Sequence, residues 1–344
     1  MSQKKQIKWL NCAKCFAILA VIIDHTRGVL YTNPKIGVAA YFSVSLFILI
    51  AGMTSYMSNL RHNGSKNIFL RSSKKIIISY CFATFIYLVY YTHTFNVTQY
   101  INYLVHFNII GAMYYVLLYL QLMLVNGFLF DFLQFCSGKK YCYLYEFLAF
   151  AVIIVISIFT TNYTNLLGVY GGGGKLLGGT FLILYYIGMI IAKYKWLENT
   201  SVRKSIAMLL VSFPLLLLWW GYIFFYGMTI DQYFPWGIGK NPPGISLMIL
   251  AVLILFSTFG FFTLIERYNC TKWIVNSVNW IGKNTLNIFM YHFLIMNILS
   301  NHFNITDIWI KRFVYIIFMI YASILIGKII DNILHQISLL FKNR

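Results

Sequence analysis

Charged residues are scarce in this sequence, and acidic ones are the scarcest. Only 10% of the 344 residues are charged, with 8 Asp and Glu against 27 Lys and Arg. Soluble domains carry roughly a quarter charged residues, so a soluble globular protein is excluded. Instead, 60% of the residues are hydrophobic, and they come in runs of about 20, the length that crosses a hydrocarbon core of about 30 Å. The sequence therefore predicts an all-α polytopic membrane protein.

Several chemical signatures are also missing. Cys12 and Cys15 form a C-x-x-C pair inside an apolar run, without a second pair or a histidine motif at metal-site spacing. Glycines 171–174, followed by a lysine, depart from the phosphate-loop pattern, because Val169 and Leu176 stand where it requires Gly and Ser or Thr. We therefore expect buried thiols, no metal, and a flexible glycine loop on the outer side.

Ten membrane-crossing segments can be drawn, and the distribution of basic residues orients them. The segments are 9–31, 37–58, 73–91, 111–133, 144–162, 177–194, 205–226, 244–265, 283–300 and 312–334. When residues near the segment ends, such as Lys193, are counted with the adjoining loop, nineteen Lys and Arg residues fall on the side with both termini and six on the other side, and two, Lys14 and Lys328, lie within segments. The more basic side is expected to be cytoplasmic, so both termini are predicted to be cytoplasmic. Because these residues lie in short loops, we expect no nucleic-acid partner.

The first segment carries polar groups at membrane depth, which indicates a functional site. Lys14 and His25 are eleven positions apart, roughly 16 Å along a helix. Asn11 precedes Lys14 by three positions and should share its face. Asp24 points about 100° away from His25, so it should meet another helix or the outer headgroups. A structural alternative remains, in which Lys14 reaches the cytoplasmic headgroups and His25 lies at the outer interface.

The ninth segment contains a second polar group near its middle. His292 shares a helical stripe with Thr285, Ile288 and Met296. A histidine at this depth should face the interior of the bundle. Its role remains open between a hydrogen-bonded structural histidine and a second site residue.

These features together resemble the membrane acyltransferase 3 family of ten-helix O-acyltransferases. The family's hallmark is a basic residue, ten intervening residues and a histidine, matched here by Lys14 and His25, although arginine is usual at the first position. The run 46–52 resembles the family's second-helix motif, with alanine in place of serine. The run 282–292 is similar to its penultimate helix, and 241–244 is similar to a segment of stand-alone members.

The resemblance covers essentially the whole chain and implies a function. It suggests one integral-membrane acyltransferase domain over residues 1–344, without an appended soluble domain, in the cell membrane. It is most similar to members of the intercellular-adhesin type, which modify surface polysaccharides. The implied reaction moves an acyl group, acetyl or succinyl, from cytoplasmic acyl-CoA to a hydroxyl of a cell-surface polysaccharide or lipid-linked glycan. Acetyl-CoA is the expected donor.

The resemblance also implies residue roles. Lys14 would bind the donor and His25 would be catalytic, either as a general base or through an acyl-histidine intermediate. Asn11, Asp24 and His292 are further candidates. Two other functions stay open from the sequence alone: a multi-pass exporter of a polysaccharide or its precursor, and a structural assembly subunit that would tolerate alanine at Lys14 and His25.

Overall fold

The computed structural model describes residues 7–62, 68–198, 201–226, 241–302 and 309–342. These residues contain no β-strand, which confirms the all-α prediction. The α-helices are α1 Lys8–His25, α2 Pro34–Ala40, α3 Ser43–Arg61, α4 Ile68–Thr92, α5 Val97–His106, α6 Tyr114–Ser137, α7 Cys142–Tyr163, α8 Phe181–Lys193, α9 Val202–Tyr226, α10 Ile245–Ile265, α11 Lys272–Lys283, α12 Thr285–His302 and α13 Trp309–Lys342. Short 3-10 turns lie at Gly111–Met113, Gly171–Gly174, Leu176–Gly178 and Asn269–Thr271.

Seven helical stretches of the described residues are long and apolar enough to cross a membrane. They are Pro34–Arg61, Ser73–Thr92, Gly111–Ser137, Cys142–Tyr163, Val202–Tyr222, Ile245–Ile265 and Trp309–Leu334. The other three predicted crossings coincide with α1, which carries three charged side chains, and with α8 and α12, whose apolar stretches are shorter. The protein is thus a multi-pass membrane protein, whereas the count of ten, the cytoplasmic termini and the single domain stay predictions.

Some predicted boundaries were wrong. The first segment was predicted to reach residue 31, but α1 ends at His25, because the chain turns at Gly28, where φ is +85°. The second segment is divided between α2 and α3 rather than continuous. Two helices, α5 and α11, were not predicted, since they are short and polar and do not resemble membrane crossings. Most of the connection between the seventh and eighth predicted segments, residues 227–240, lies outside the described residues.

Close helix packing at the centre of the bundle depends on two glycines. A side chain at Gly52 of α3 would collide with the backbone carbonyl of Tyr185 on α8. Reciprocally, a side chain at Gly188 of α8 would collide with the carbonyl of Leu49 on α3. Small residues that let helix backbones approach are the usual interface device in membranes. The 13-residue α8, roughly 20 Å long, is therefore held inside the protein.

Helix α1 lies between two hydrophobic clusters and takes part in both. Trp9 and Cys12 in its first half belong to the cluster that also contains residues of α3, α8 and α10, whereas Ile18 and Ile22 belong to the cluster that also contains residues of α4, α12 and α13. Gly282 of α11 approaches the backbone of α1 so closely that any side chain there would clash. The position of α1 is consequently fixed on several sides, which matters because α1 carries the polar groups.

A buried ion pair connects two of the helices at one end of the bundle. The side chains of Lys193 and Glu146 are each 7% exposed and contact one another through Nζ and Oε1. The hydroxyl of Tyr194 donates to Oε2 of Glu146 at 2.7 Å, and Lys193 also donates to the carbonyl of Leu133 at 2.9 Å. Lys193, counted above as a loop cation on the basic side, therefore ties α6, α7 and α8 together.

Candidate active site

Lys14 lines a cavity of about 170 Å³ inside the bundle. The walls come from α3, α4, α6 and α12, so four helices distant in sequence meet around Lys14. The other lining residues are Phe47, Ile50, Ala51, Thr54, Ile76, Tyr115, Tyr119, Thr285, Leu286 and Phe289. Most of these are apolar, and hydroxyl groups on threonine and tyrosine supply the remaining polarity. The cavity is smaller than the few hundred Å³ typical of whole-ligand sites, so it suits one slender segment of a ligand.

The ammonium group of Lys14 has no anionic partner within the described part of the chain. Ion pairs recorded there join Lys8 to Glu266, Lys75 to Asp331 and Lys193 to Glu146. A cation inside a bilayer protein without a carboxylate is energetically unfavourable, and such groups usually mark ligand sites. The cavity therefore offers an uncompensated positive charge to an anionic ligand.

His25, at the last position of α1, makes a direct contact with His292 of α12. Nδ1 of His25 lies 2.9 Å from Nε2 of His292. Nδ1 of His292 in turn lies 3.0 Å and 2.9 Å from the backbone oxygens of Ile288 and Phe289. His292 is fully buried, and the ring of Phe293 lies 4.5 Å from that of His25. The two histidines predicted from separate segments are thus one hydrogen-bonded unit.

The same two helices carry both the lysine cavity and the histidine pair. Eleven residues amount to within about 20° of three full helical turns, so Lys14 and His25 project from one face of α1. On α12, Phe289 lines the lysine cavity and also supplies an oxygen to His292. Phe289, whose ring centroid lies 6.2 Å from that of His292, therefore links the wall of the lysine cavity to the histidine pair.

Comparison with known proteins settles the family. A family model described as an acyltransferase domain, that of acyltransferase 3, matches residues 7–329. The chain belongs to the acyltransferase 3 family. No curated protein and no solved structure matches it.

Membership makes the protein a membrane-embedded acyltransferase. The match extends over both α1 and α12, so the lysine cavity and the histidine pair lie inside the acyltransferase domain. The roles predicted for Lys14 and His25 are not tested by this finding and stay predictions.

Two other candidates of this acyltransferase are not brought to the lysine cavity. Asn11 donates to the side-chain oxygen of Asn279 on α11 at 2.9 Å, and it is absent from the cavity wall. Three positions along a helix leave an offset of about 60°, which is enough to face a different neighbour. Asp24 lies within electrostatic range of the hydroxyls of Tyr31 and Tyr114, at the end of α1. Asn11 thus contributes to the packing of α1 against α11, and Asp24 lies near two tyrosines outside the lysine cavity.

Sequence reasoning missed several residues of the acyltransferase site. Phe293, Tyr115, Tyr119 and Thr54 were not identified, although all contact the histidines or the lysine cavity. A weak signal existed for the tyrosines, because they are spaced by four along an otherwise apolar helix and so share a face. For Phe293 there was no signal, since one more aromatic residue in an apolar helix looks like ordinary core.

A larger cavity of the acyltransferase lies elsewhere. It has a volume of about 730 Å³ between α7, α8, α9 and α10, and its wall is almost entirely apolar. It contains neither Lys14 nor a histidine, so we assign it no chemistry. Within the described residues, no group of three His, Cys, Asp or Glu side chains is placed to hold a metal ion.

Proposed function

We propose that this acyltransferase moves an acyl group, most simply acetyl, from acyl-CoA on the cytoplasmic side to a hydroxyl of a cell-surface glycan outside. The observation that carries the proposal is the arrangement on α1. One face of a single helix presents an uncompensated ammonium group and, roughly 16 Å further on, an imidazole held by a second histidine.

The lysine cavity fits the donor half of this reaction. Acyl-CoA combines a polyanionic nucleotide with a long, thin arm that ends in the thioester. The more basic side of the protein would attract the nucleotide, and Lys14 would hold an anionic or strongly polar group of the donor as a point charge. A narrow cavity of about 170 Å³ suits a slender arm better than a nucleotide ring.

The histidine pair fits the transfer step. His25 takes the proton of the acceptor hydroxyl while the oxygen attacks the thioester carbonyl. The carbon–sulfur bond then breaks, and the proton held by His25 passes to the departing thiolate of coenzyme A. The products are the glycan ester and free coenzyme A, and His25 returns to its starting state. Imidazole ordinarily titrates near neutral pH, so it can both accept and return this proton.

The proposal is tested with purified protein in liposomes, supplied with acetyl-CoA and isolated cell-envelope glycan. Release of free coenzyme A and the added acetyl mass on the glycan are measured together. His25→Ala should lower the rate at least about 100-fold, the usual contribution of a general base. His106→Ala is the matched control, because His106 is a half-buried histidine on α5 whose Nδ1 lies 2.9 Å from the backbone oxygen of Asn102 on the same helix, and it belongs to neither the lysine cavity nor the histidine pair.

Full activity of His25→Ala would exclude this mechanism. Movement of glycan across the liposome membrane without coenzyme A release would instead favour the exporter. A succinyl mass obtained when succinyl-CoA is offered in competition with acetyl-CoA would retain the reaction and change the donor.

A further inference from the structure

The hydrogen bonds of His292 determine which of its nitrogens carries hydrogen. Nδ1 faces two backbone carbonyl oxygens, of Ile288 at 3.0 Å and of Phe289 at 2.9 Å. Carbonyl oxygens only accept hydrogen bonds, so Nδ1 must be the donor. A neutral imidazole has one N–H group, which leaves a lone pair on Nε2 of His292.

The position of the hydrogen on His292 also determines which nitrogen of His25 carries hydrogen. Its Nδ1 lies 2.9 Å from the lone pair on Nε2 of His292. Two lone pairs at that distance would repel, and His292 is fully buried, so water cannot intervene there. Nδ1 of His25 must therefore carry its hydrogen and donate it. In neutral His25 the basic lone pair of the ring is then on Nε2.

The relative orientation of the rings agrees with a directional bond. The ring planes differ by only 13°, and the centroids are 5.2 Å apart. A distance of about 1.2 Å from centre to nitrogen in each ring, added to the 2.9 Å bond, accounts for this separation. The rings therefore meet edge to edge and almost in one plane, as a linear N–H to N bond requires.

We propose that His292 is a positioning residue that fixes the tautomer of His25, so that Nε2 of His25 is the basic atom. The tautomer follows from the hydrogen bonds alone, whereas its importance for catalysis rests on the proposed acyl transfer. The hydroxyl and the thioester must approach His25 at its Nε2 edge, away from His292. When Nε2 of His25 takes the proton, Nδ1 still donates its hydrogen bond to His292, and this bond stabilises the imidazolium. In many enzymes a carboxylate has the same role beside a catalytic histidine.

Solid-state NMR of protein labelled with ¹⁵N-histidine in liposomes tests the tautomer without any reaction. Wild type should show Nδ1 of His25 protonated and Nε2 bare. The resonances are assigned by their loss in His25→Ala and His292→Phe. Finding Nε2 of His25 protonated, with a bare Nδ1, in neutral wild type would overturn the proposal.

Two variants separate positioning from mere packing. His292→Phe keeps an aromatic ring but removes the acceptor, whereas His292→Gln keeps an acceptor atom near the position of Nε2. We expect kcat of His292→Phe to fall about 10- to 100-fold with KM within twofold, as for other residues that orient a reactive histidine. His292→Gln should recover most of kcat. Equal loss in both variants, or a change in KM alone, would contradict positioning.

The two proposals fail differently. If wild type transfers no acyl group from acyl-CoA while the NMR shows the expected tautomer, the proposed function is wrong and the histidine assignment stands. If acyl transfer occurs and His292→Phe retains full kcat in a folded state, the positioning role is wrong.

Discussion

Replacing Lys14 by methionine should weaken donor binding while making the protein more stable. Methionine keeps the length and apolar stem of lysine but removes the charge. If Lys14 holds an anionic group of the donor, KM for acyl-CoA should rise and kcat should change little, because the contact is made equally in the bound donor and in the transition state. Loss of binding with a gain in stability is a combination that a purely structural lysine would not give.

The size of both effects follows from the surroundings of Lys14. A hydrogen bond to a charged group contributes about 1.5–3 kcal/mol, which corresponds to a loss of about 10- to 150-fold in kcat/KM. In the absence of donor, Lys14 has no carboxylate partner among the described residues. Removing an uncompensated charge from a largely apolar cavity should therefore raise the free energy of unfolding by on the order of 1 kcal/mol.

The assay combines steady-state kinetics at varied acyl-CoA with the thermal unfolding midpoint in detergent. Lys328→Met is the control, since Lys328 lies on another crossing helix and its Nζ sits 5.3 Å from the ring of Trp280 rather than in the cavity. Lys14→Arg should remain within a few-fold of wild type, because arginine keeps the charge and is the residue usual in the family. An unchanged KM in Lys14→Met, together with a lower unfolding midpoint, would refute the donor role.

Two further predictions concern the scaffold, and both are read from unfolding midpoints of the purified protein. Glu146→Gln should destabilise the protein by about 3–5 kcal/mol, because it leaves the buried ammonium of Lys193 without its anion. The control is Glu266→Gln, which removes an ion pair with Lys8 in which both side chains are more than a third exposed, and it should change stability by at most about 1 kcal/mol. Similar shifts would argue against a structural ion pair. Gly188→Ala should destabilise by at least about 1–3 kcal/mol by separating α3 from α8, whereas Gly221→Ala, with open space around it, should be neutral or stabilising. A tolerated Gly188→Ala would contradict the close packing.

Much of the fold was accessible from the sequence because hydrophobicity is a local property. Apolar runs of crossing length identify helices without knowledge of their neighbours. Breaks inside such runs are less visible: the division between α2 and α3 falls in a stretch without proline, and nothing in the composition indicates it. Short polar helices such as α5 and α11 escape the same reasoning, since they neither cross the membrane nor carry a sharp turn signal.

The site was only partly predictable, because its contacts depend on how distant helices align. The spacing of Lys14 and His25 is a property of one helix and was visible. The contact between His25 and His292 joins residues 267 positions apart and depends on the relative height of α1 and α12. Asn11 illustrates the opposite error. It was assigned to the face of Lys14 by local spacing, but the approach of Gly282 directs it towards α11.

The charges on α1 connect these observations. Helix α1 is not among the seven stretches that are long, apolar and poor enough in charge to cross a membrane by composition alone, and a lone helix with these charges would be poorly stable in lipid. The surrounding helices stabilise α1 in the membrane, since it packs into both hydrophobic clusters and Lys14 and His25 face other helices. Because Lys14 and His25 stand on one helix, their separation is set by helical geometry and not by a loop. In the proposed mechanism, a donor bound at Lys14 would have to span this fixed distance to reach the histidine pair. Helix α12, which contributes to both positions, would then orient the reactive nitrogen of His25.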